Sequence, residues 1–159
     1  MGYTGNFEPE RMARATGKEL TISPKHSVEI CRAIRGLPIT SAIDLLESVI
    51  AKKEAIPFKR YKAMVPHKRR SGYSKKGIGP GRYPVKAAKE ILKVIKSAQA
   101  NAEKTIDDVT EEGENLRIVT AAASRGRVLM GFMPRAHGRW EKFNQETVNI
   151  EIILEMTED

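Results

Sequence analysis

Cysteine is nearly absent from this chain: Cys31 is the single one in 159 residues. One thiol cannot close an internal disulfide, and it excludes any zinc site that needs two thiolates. A chain of this length needs no such staple, because packing alone can bury roughly 70% of its unfolded surface. Aromatic residues are few, at 6%. No apolar run approaches the roughly 18 residues of a membrane span. The opening stretch MGYTGNFEPERMAR lacks the apolar segment of a signal peptide. Asn6 stands where a myristoylation motif carries a hydroxyl, so no lipid anchor is expected. These absences lead us to expect a soluble, intracellular protein with no membrane partner.

The most informative absence is of acid, and it is local. Lys plus Arg number 28 against 20 Asp plus Glu, a net charge of +8. The window from Lys59 to Arg82 has nine basic residues and no acid in 24 positions. The window from Arg117 to Trp140, of the same length, has five Arg, no Lys and no acid. The other 111 residues hold 14 basic and 20 acidic groups. Two segments therefore carry all the excess charge on a mildly acidic body. Even basicity would speak only of solubility, whereas concentrated patches are the footprint of a polyanion site. The plainer alternative is that each run is a solvated loop.

Hydrophobic spacing gives the elements. Residues 1–17 mix Gly, Pro, Glu and Arg without period and read as an irregular lead-in; Lys18 to Ile22 alternates like a short strand. Ser23-Pro24 reads as a cap with proline at the first helical position. Val28, Cys31 and Ile34 form the apolar face of that helix, and Gly36 stops it. Cys31 is expected in the core. A second helix is expected from a cap at Thr40, with a stripe of Ile43, Leu46, Val49 and Ile50 and with Lys52 and Lys53 at its end. The first basic window follows, broken by Pro66, Gly72, Gly77, Gly79, Pro80 and Gly81 and without period, so it reads as a loop that orders on its partner. Tyr61 and Tyr73 in it are placed either to stack on unpaired bases or simply to line a loop. Pro84 opens the longest helix, with core positions Ala88, Ile91, Leu92, Ile95, Ala98 and Ala102. Its Lys86, Lys89, Lys93 and Lys96 suit phosphates or merely the wet face. Residues 103–114 are acidic and should face away from nucleic acid.

Leu116 to Ala121 reads as a strand, and Val148, Ile150, Ile152, Leu154 and Met156 alternate as a half-buried one. These two make a natural antiparallel pair. About 25 residues join them, far beyond a normal hairpin loop. We therefore expect the strands to run on as a protruding ribbon, reaching about 40 Å if each limb has about 12 residues at roughly 3.3 Å rise. Ala121, Ala122 and Ala123 keep it slim, and Gly131 and Pro134 are the turn formers near its middle. Arg125, Arg127, Arg135 and Arg139 would project into the partner, since the planar guanidinium grips phosphate with two bonds and stacks on bases. Val128, Leu129, Met130, Phe132 and Met133 form an apolar patch at the tip, and such patches contact something.

Catalytic patterns are missing as well. There is no phosphate-binding or dinucleotide loop, since Gly77, Gly79 and Gly81 lie in a Lys-rich stretch. His26, His67 and His137 are far apart, and no nucleophile elbow is present. His26 reads as structural, while His67 and His137 sit among Lys and Arg. The acidic 103–114 stretch lacks the spacing of a calcium loop. We expect no enzyme, no cofactor and no metal site. Rival readings are a helix-turn-helix DNA reader, a metal-dependent nuclease, a free-standing RNA-binding protein, and a regulatory adaptor using the acidic stretch and the apolar tip. Charge placed in loops and a ribbon disfavours the first.

The segments SPKHSVEICRAIRG, LLESVIA, PFKRYKAMVPHKRR, GPGRYPVKAAKEILKVIKSAQANAE, GRVLMGFMPRAHGRW and VNIEIILE resemble the large-subunit ribosomal protein family L-twenty-two (L-seventeen in eukaryotes). The likeness runs from about 18 to 156. The basic insertion ending in GRYP is similar to the archaeal and eukaryotic branch. Pro134 to Arg139, PRAHGR, resembles the family motif Pro-Arg-Ala-x-Gly-Arg; Trp140 departs from it, standing where a small residue usually follows. The resemblance implies an α+β fold: three helices on a small antiparallel sheet, with a long β-hairpin arm. It also implies a cytoplasmic, ribosomal protein that binds large-subunit rRNA and supports its assembly. Its partners would be that rRNA, neighbouring large-subunit proteins and the nascent polypeptide in the exit tunnel. On this basis residues 1–159 form one domain. It comprises a body (about 18–120 and 145–156), a basic insertion (about 59–82) and an arm (about 121–146). Carried over by position, RNA contacts fall to Lys59, Arg60, Lys68, Arg69, Arg70, Lys75, Lys76 and Arg82 on the body. On the arm they fall to Arg125, Arg127, Arg135 and Arg139. The tunnel tip would be Val128, Leu129, Met130, Gly131, Phe132, Met133, Pro134 and His137.

Overall fold

The computed structural model describes residues 7–9, 11–69, 78–106 and 115–157. Its central layer is an antiparallel sheet of three strands in the order β1 (Met12–Leu20), β8 (Gln145–Met156), β5 (Leu116–Leu129). Three helices accompany it: α1 (Pro24–Ile34), α2 (Ile39–Ile50) and α3 (Val85–Thr105). α3 lies against β1, β8 and α2, and α1 against β5. The α+β reading holds, with a hairpin extending from the sheet.

The sequence led us to expect an irregular lead-in over residues 1–17 and a strand at Lys18 to Ile22, but β1 begins at Met12 and ends at Leu20. Its inward residues, Ala13 and Ala15, are buried but small, so they leave little trace in a hydropathy pattern. What makes the strand is its partner: Met12 pairs Glu155 and Ala15 pairs Ile152. The register slips between Gly17 and Leu20, where Glu19 takes φ 52° and its N–H donates to Asn149 Oδ1 at 2.8 Å.

α1 starts where Ser23-Pro24 places it. The Ser23 side chain makes no capping bond; instead its carbonyl accepts both the N–H and the hydroxyl of Ser27, at 3.0 and 2.9 Å. The buried face is Ser27, Glu29, Ile30, Cys31 and Ile34, with Val28 only half-buried. α2 begins one residue before Thr40, with Pro38 as its cap, and buries Ile39, Ala42, Leu46 and Val49; Ile43 and Ile50 are half-buried. α3 buries Ala87, Ala88, Ile91, Val94, Ile95, Ala98 and Ala102, with Leu92 on the margin. Cys31 is core, and burial pushes its thiol up to about 12, so it behaves as an inert apolar group.

β8 is the middle strand and is shielded on both faces, not one. Val148, Ile150, Ile152 and Leu154 enter the main core. On the other face Thr147, Asn149, Glu151 and Ile153 are also buried. Its polar residues tie the strand to its neighbours: the Thr147 hydroxyl donates to Arg127 O at 2.6 Å, and Asn149 receives the Glu19 amide. Alternation in the sequence thus marks two kinds of burial, an apolar face and a hydrogen-bonded one.

Candidate nucleic-acid interface

The first basic window is built on structure that its sequence conceals. Three short strands, β2 (Ile56–Pro57), β3 (His67–Arg69) and β4 (Ile78–Arg82), form a sheet in the order β2, β4, β3. Ile56 pairs Arg82, and Lys68 pairs Gly79. Phe58 and Val65 insert into the core, so the described parts of this window are ordered by the protein itself. The expectation of a loop without its own fold fails there because β3 and β4 pair within the window and because further partners lie outside it. One is Glu29 of α1, which is 1% exposed. Its carboxylate accepts the backbone N–H of Lys59 at 3.1 Å and those of Arg60 and Tyr61 at 2.7 Å each. A buried carboxylate needs such donors, and bonds of this kind are about twice as strong as neutral ones. Glu29 therefore fixes the backbone and leaves the Lys59 and Arg60 side chains exposed to solvent.

The sequence did carry a sign of Glu29: an acid set between Val28 and Ile30 on an otherwise apolar stretch of helix. Arg69 and Arg82 are exposed and Lys68 is half-buried. Arg70, Tyr73, Lys75 and Lys76 lie outside the described residues, as does most of the acidic 103–114 stretch. Lys86, Lys89, Lys93 and Lys96 all lie on the exposed side of α3, and Lys93 is paired with Glu90 at 3.0 Å.

The second window is the arm. Pairing of β5 with β8 continues outward to Val128 with Glu146 and Leu129 with Gln145. Beyond a break, β6 (Phe132–Pro134) pairs with β7 (Trp140–Lys142), Phe132 facing Lys142 and Pro134 facing Trp140. The chain reverses at residues 135–139, not at Gly131 and Pro134 as expected. There the Arg135 N–H donates to Arg139 O at 2.8 Å, and His137 and Gly138 take φ 57° and 69°. Two consecutive positive φ values suit a hairpin reversal, and Gly138 adopts its value without strain. Pro134 instead sits in a strand whose partner is Trp140. Gly131 has a different use: a Cβ there would lie 2.6 Å from the Phe143 carbonyl oxygen, so only glycine permits that close approach. Trp140, the departure from the family motif, packs edge-on against Phe132 with centroids 4.9 Å apart.

The arm's cations are not equivalent. Arg135 donates through Nε and Nη2 to Glu141 Oε2 at 3.0 and 2.7 Å, and Arg125 lies 3.9 Å from Glu146. At the root, Arg117 reaches Glu155 at 3.3 Å. The returning limb thus answers three arginines of an acid-free window, which a count along the outgoing limb alone could not show. Arg127 and Arg139 are exposed and make no ion pair among the described residues. The tip is apolar and open: Met130 is 82% exposed, Phe132 65% and Phe143 61%, and Val128, Leu129 and Met133 are exposed too. Among the described residues no three His, Cys, Asp or Glu converge on a metal-sized site. No described helix is long and apolar enough to cross a membrane.

The comparisons with known proteins agree with this geometry. Residues 15–155 match the family described as Ribosomal protein L22p/L17e. The large ribosomal subunit protein uL22 of Methanocella arvoryzae is 45% identical, over 97% of this chain and 95% of its own length. That of Methanopyrus kandleri is 49% identical over 94% and 89%, and that of Archaeoglobus fulgidus 48% over 94% of each. The match takes in the body, the basic insertion and the whole arm, so the chain belongs to the L22p/L17e family of ribosomal proteins.

Proposed function

We propose that this chain is a structural, non-enzymatic constituent of the large ribosomal subunit in the cytoplasm. It binds large-subunit rRNA as a single domain with a body, a basic insertion and an arm. The observation that carries this reading is the arm: a hydrogen-bonded ribbon with exposed arginines and no core of its own, in a chain of this family. An isolated two-stranded ribbon is marginal in water, so it is suited to a surface that surrounds it. Packed rRNA supplies such a surface, and its phosphates accept the guanidinium bonds of Arg125, Arg127, Arg135 and Arg139. Lys59, Arg60, Lys68, Arg69 and Arg82 contact the same RNA from the body, and Arg70, Lys75 and Lys76 extend that set. Recognition rests on RNA shape, because the A-form major groove is closed to side chains. The exposed tip, Val128 to His137, faces the nascent-peptide exit tunnel, and the family's neighbouring proteins border the body.

Gradient sedimentation of the tagged protein from a lysate, with and without RNase, tests this reading. Stoichiometric travel with the large subunit and release by RNase are expected. Free protein at the top of the gradient in both conditions would overturn it.

A further inference from the structure

A concave cleft of about 390 Å³ opens between the first turn of α1 and the segment after β2. Three stretches of chain wall it. Lys25 and His26 come from α1, Phe58, Arg60 and Tyr61 follow β2, and Arg82 ends β4. Three cations thus converge on one hollow, and none of the residues lining it is acidic. Glu29 lies close in sequence, but its carboxylate is spent on the amides of Lys59, Arg60 and Tyr61. Those same bonds hold Arg60 and Tyr61 in place before any ligand arrives.

The Tyr61 ring is half-buried, with Lys25 Nζ 5.9 Å and the Arg60 guanidinium 5.5 Å from its centroid. His26 packs edge-on against Phe58 at 5.5 Å. Burial, and then the charge of Arg82, hold the His26 pKa below its usual value. Its imidazole is therefore neutral at pH 7 and offers one donor and one acceptor.

We propose that this cleft holds one unpaired RNA nucleotide, its base against Tyr61 and its phosphate among Lys25, Arg60 and Arg82. The inference deepens the ribosomal reading and rests on it for the source of the RNA. The volume is within the range of small-ligand pockets, about 300–1,000 Å³. A duplex keeps its base faces stacked inside, whereas loops and bulges splay bases onto aromatic rings and guanidinium planes. An aromatic ring ringed by cations in a hollow suits the second and not the first. The neutral His26 provides polar contacts for a base edge without adding a fourth charge.

The test is fluorescence anisotropy of the full chain with a labelled mixed-sequence RNA hexamer and, separately, a short RNA duplex. Stacking is worth about 1–3 kcal/mol per base, so Tyr61→Ala should weaken the hexamer about 5- to 150-fold and the duplex less than about 2-fold. Tyr61→Phe, which keeps the ring, should bind like the parent. Equal losses for both RNAs, or no loss with Tyr61→Ala, would overturn the proposal. Should Tyr61→Ala unfold, the exposed Lys25→Gln decides: its salt slope for the hexamer should fall by about 0.7, and an unchanged slope rejects the cleft. Adenosine monophosphate at the hexamer's concentration should not displace it; equal displacement would make this a free-nucleotide site and overturn the RNA assignment. Failure here with normal sedimentation on the large subunit removes the cleft alone. A positive hexamer result with no ribosome association removes the ribosomal reading and leaves the cleft.

Discussion

From Leu116 to Ala121, β5 sends Leu116, Ile118 and Ala121 into the core beside β8. From Arg125 to Leu129 the same strand, paired with the same partner, buries no residue at all. β8 mirrors this: Thr147 to Leu154 are buried and Gln145 and Glu146 are exposed. The hydrogen-bond ladder runs through both halves, so it is not what separates them. The inner half has helices to cover it and residues of the right size to be covered. The outer half has exposed arginines and an exposed apolar tip, with Gly126 half-buried against Thr147. It has no covering layer from the body, which is the physical content of calling it an arm.

The strongest way to break this comparison is to truncate one side chain in each half. Ile152 is fully buried between Ala15 and Ala121 on the neighbouring strands. Ile152→Ala should cost about 2–5 kcal/mol of unfolding free energy. Leu129→Ala, in the outer half, should stay within about 0.5 kcal/mol. Urea unfolding of the free protein measures both. Comparable losses would mean that the outer half is folded against the body and is not an arm.

Much of this division was legible in the sequence, and the illegible parts have definite causes. The β5–β8 pair, the ribbon beyond it and the long α3 announced themselves through period and loop length. β1 did not, because alanines at 13 and 15 bury well but signal weakly, and because its partner strand lies at the far end of the chain, Met12 pairing Glu155 and Leu20 pairing Val148. The small β2–β4–β3 sheet was hidden by Gly79, Pro80 and Gly81, which read as loop until Lys68, His67 and Pro57 are seen to pair with them in turn. Of the candidate interface, Tyr61 and the cationic windows were visible. Glu29 showed only as an acid on an apolar stretch; its amide partners, the gathering of Lys25, Arg60, Tyr61 and Arg82 around one cleft, and the cross-strand glutamates of the arm were not visible. Each joins residues distant in sequence, and no local pattern encodes such a meeting.

A second comparison lies within the arm, between arginines with and without an internal partner. Arg127 and Arg139 have exposed side chains and no ion pair among the described residues. If each meets a phosphate, replacing both with Ala should lower the salt slope of binding to deproteinised large-subunit rRNA by about 1.4–1.8. Filter binding across a salt series reads this directly. A slope that does not move would take these two residues out of the interface.

The smallest expected effect is the sharpest, because it concerns one carboxylate. Glu141 accepts two bonds from Arg135, but both side chains are more than half exposed, so the pair is worth at most about 1 kcal/mol to the free protein. Glu141→Gln should therefore leave the unfolding midpoint nearly unchanged. It also frees Arg135 and removes a negative charge beside it, so affinity for the same rRNA at low salt should rise, by no more than about 5-fold. A fall in affinity would mean that Glu141 orients the guanidinium for its phosphate and is not competing with it. Arg135 would then be placed by its partner much as the Lys59–Tyr61 backbone is placed by Glu29, and the arm would prove as preorganised as the body.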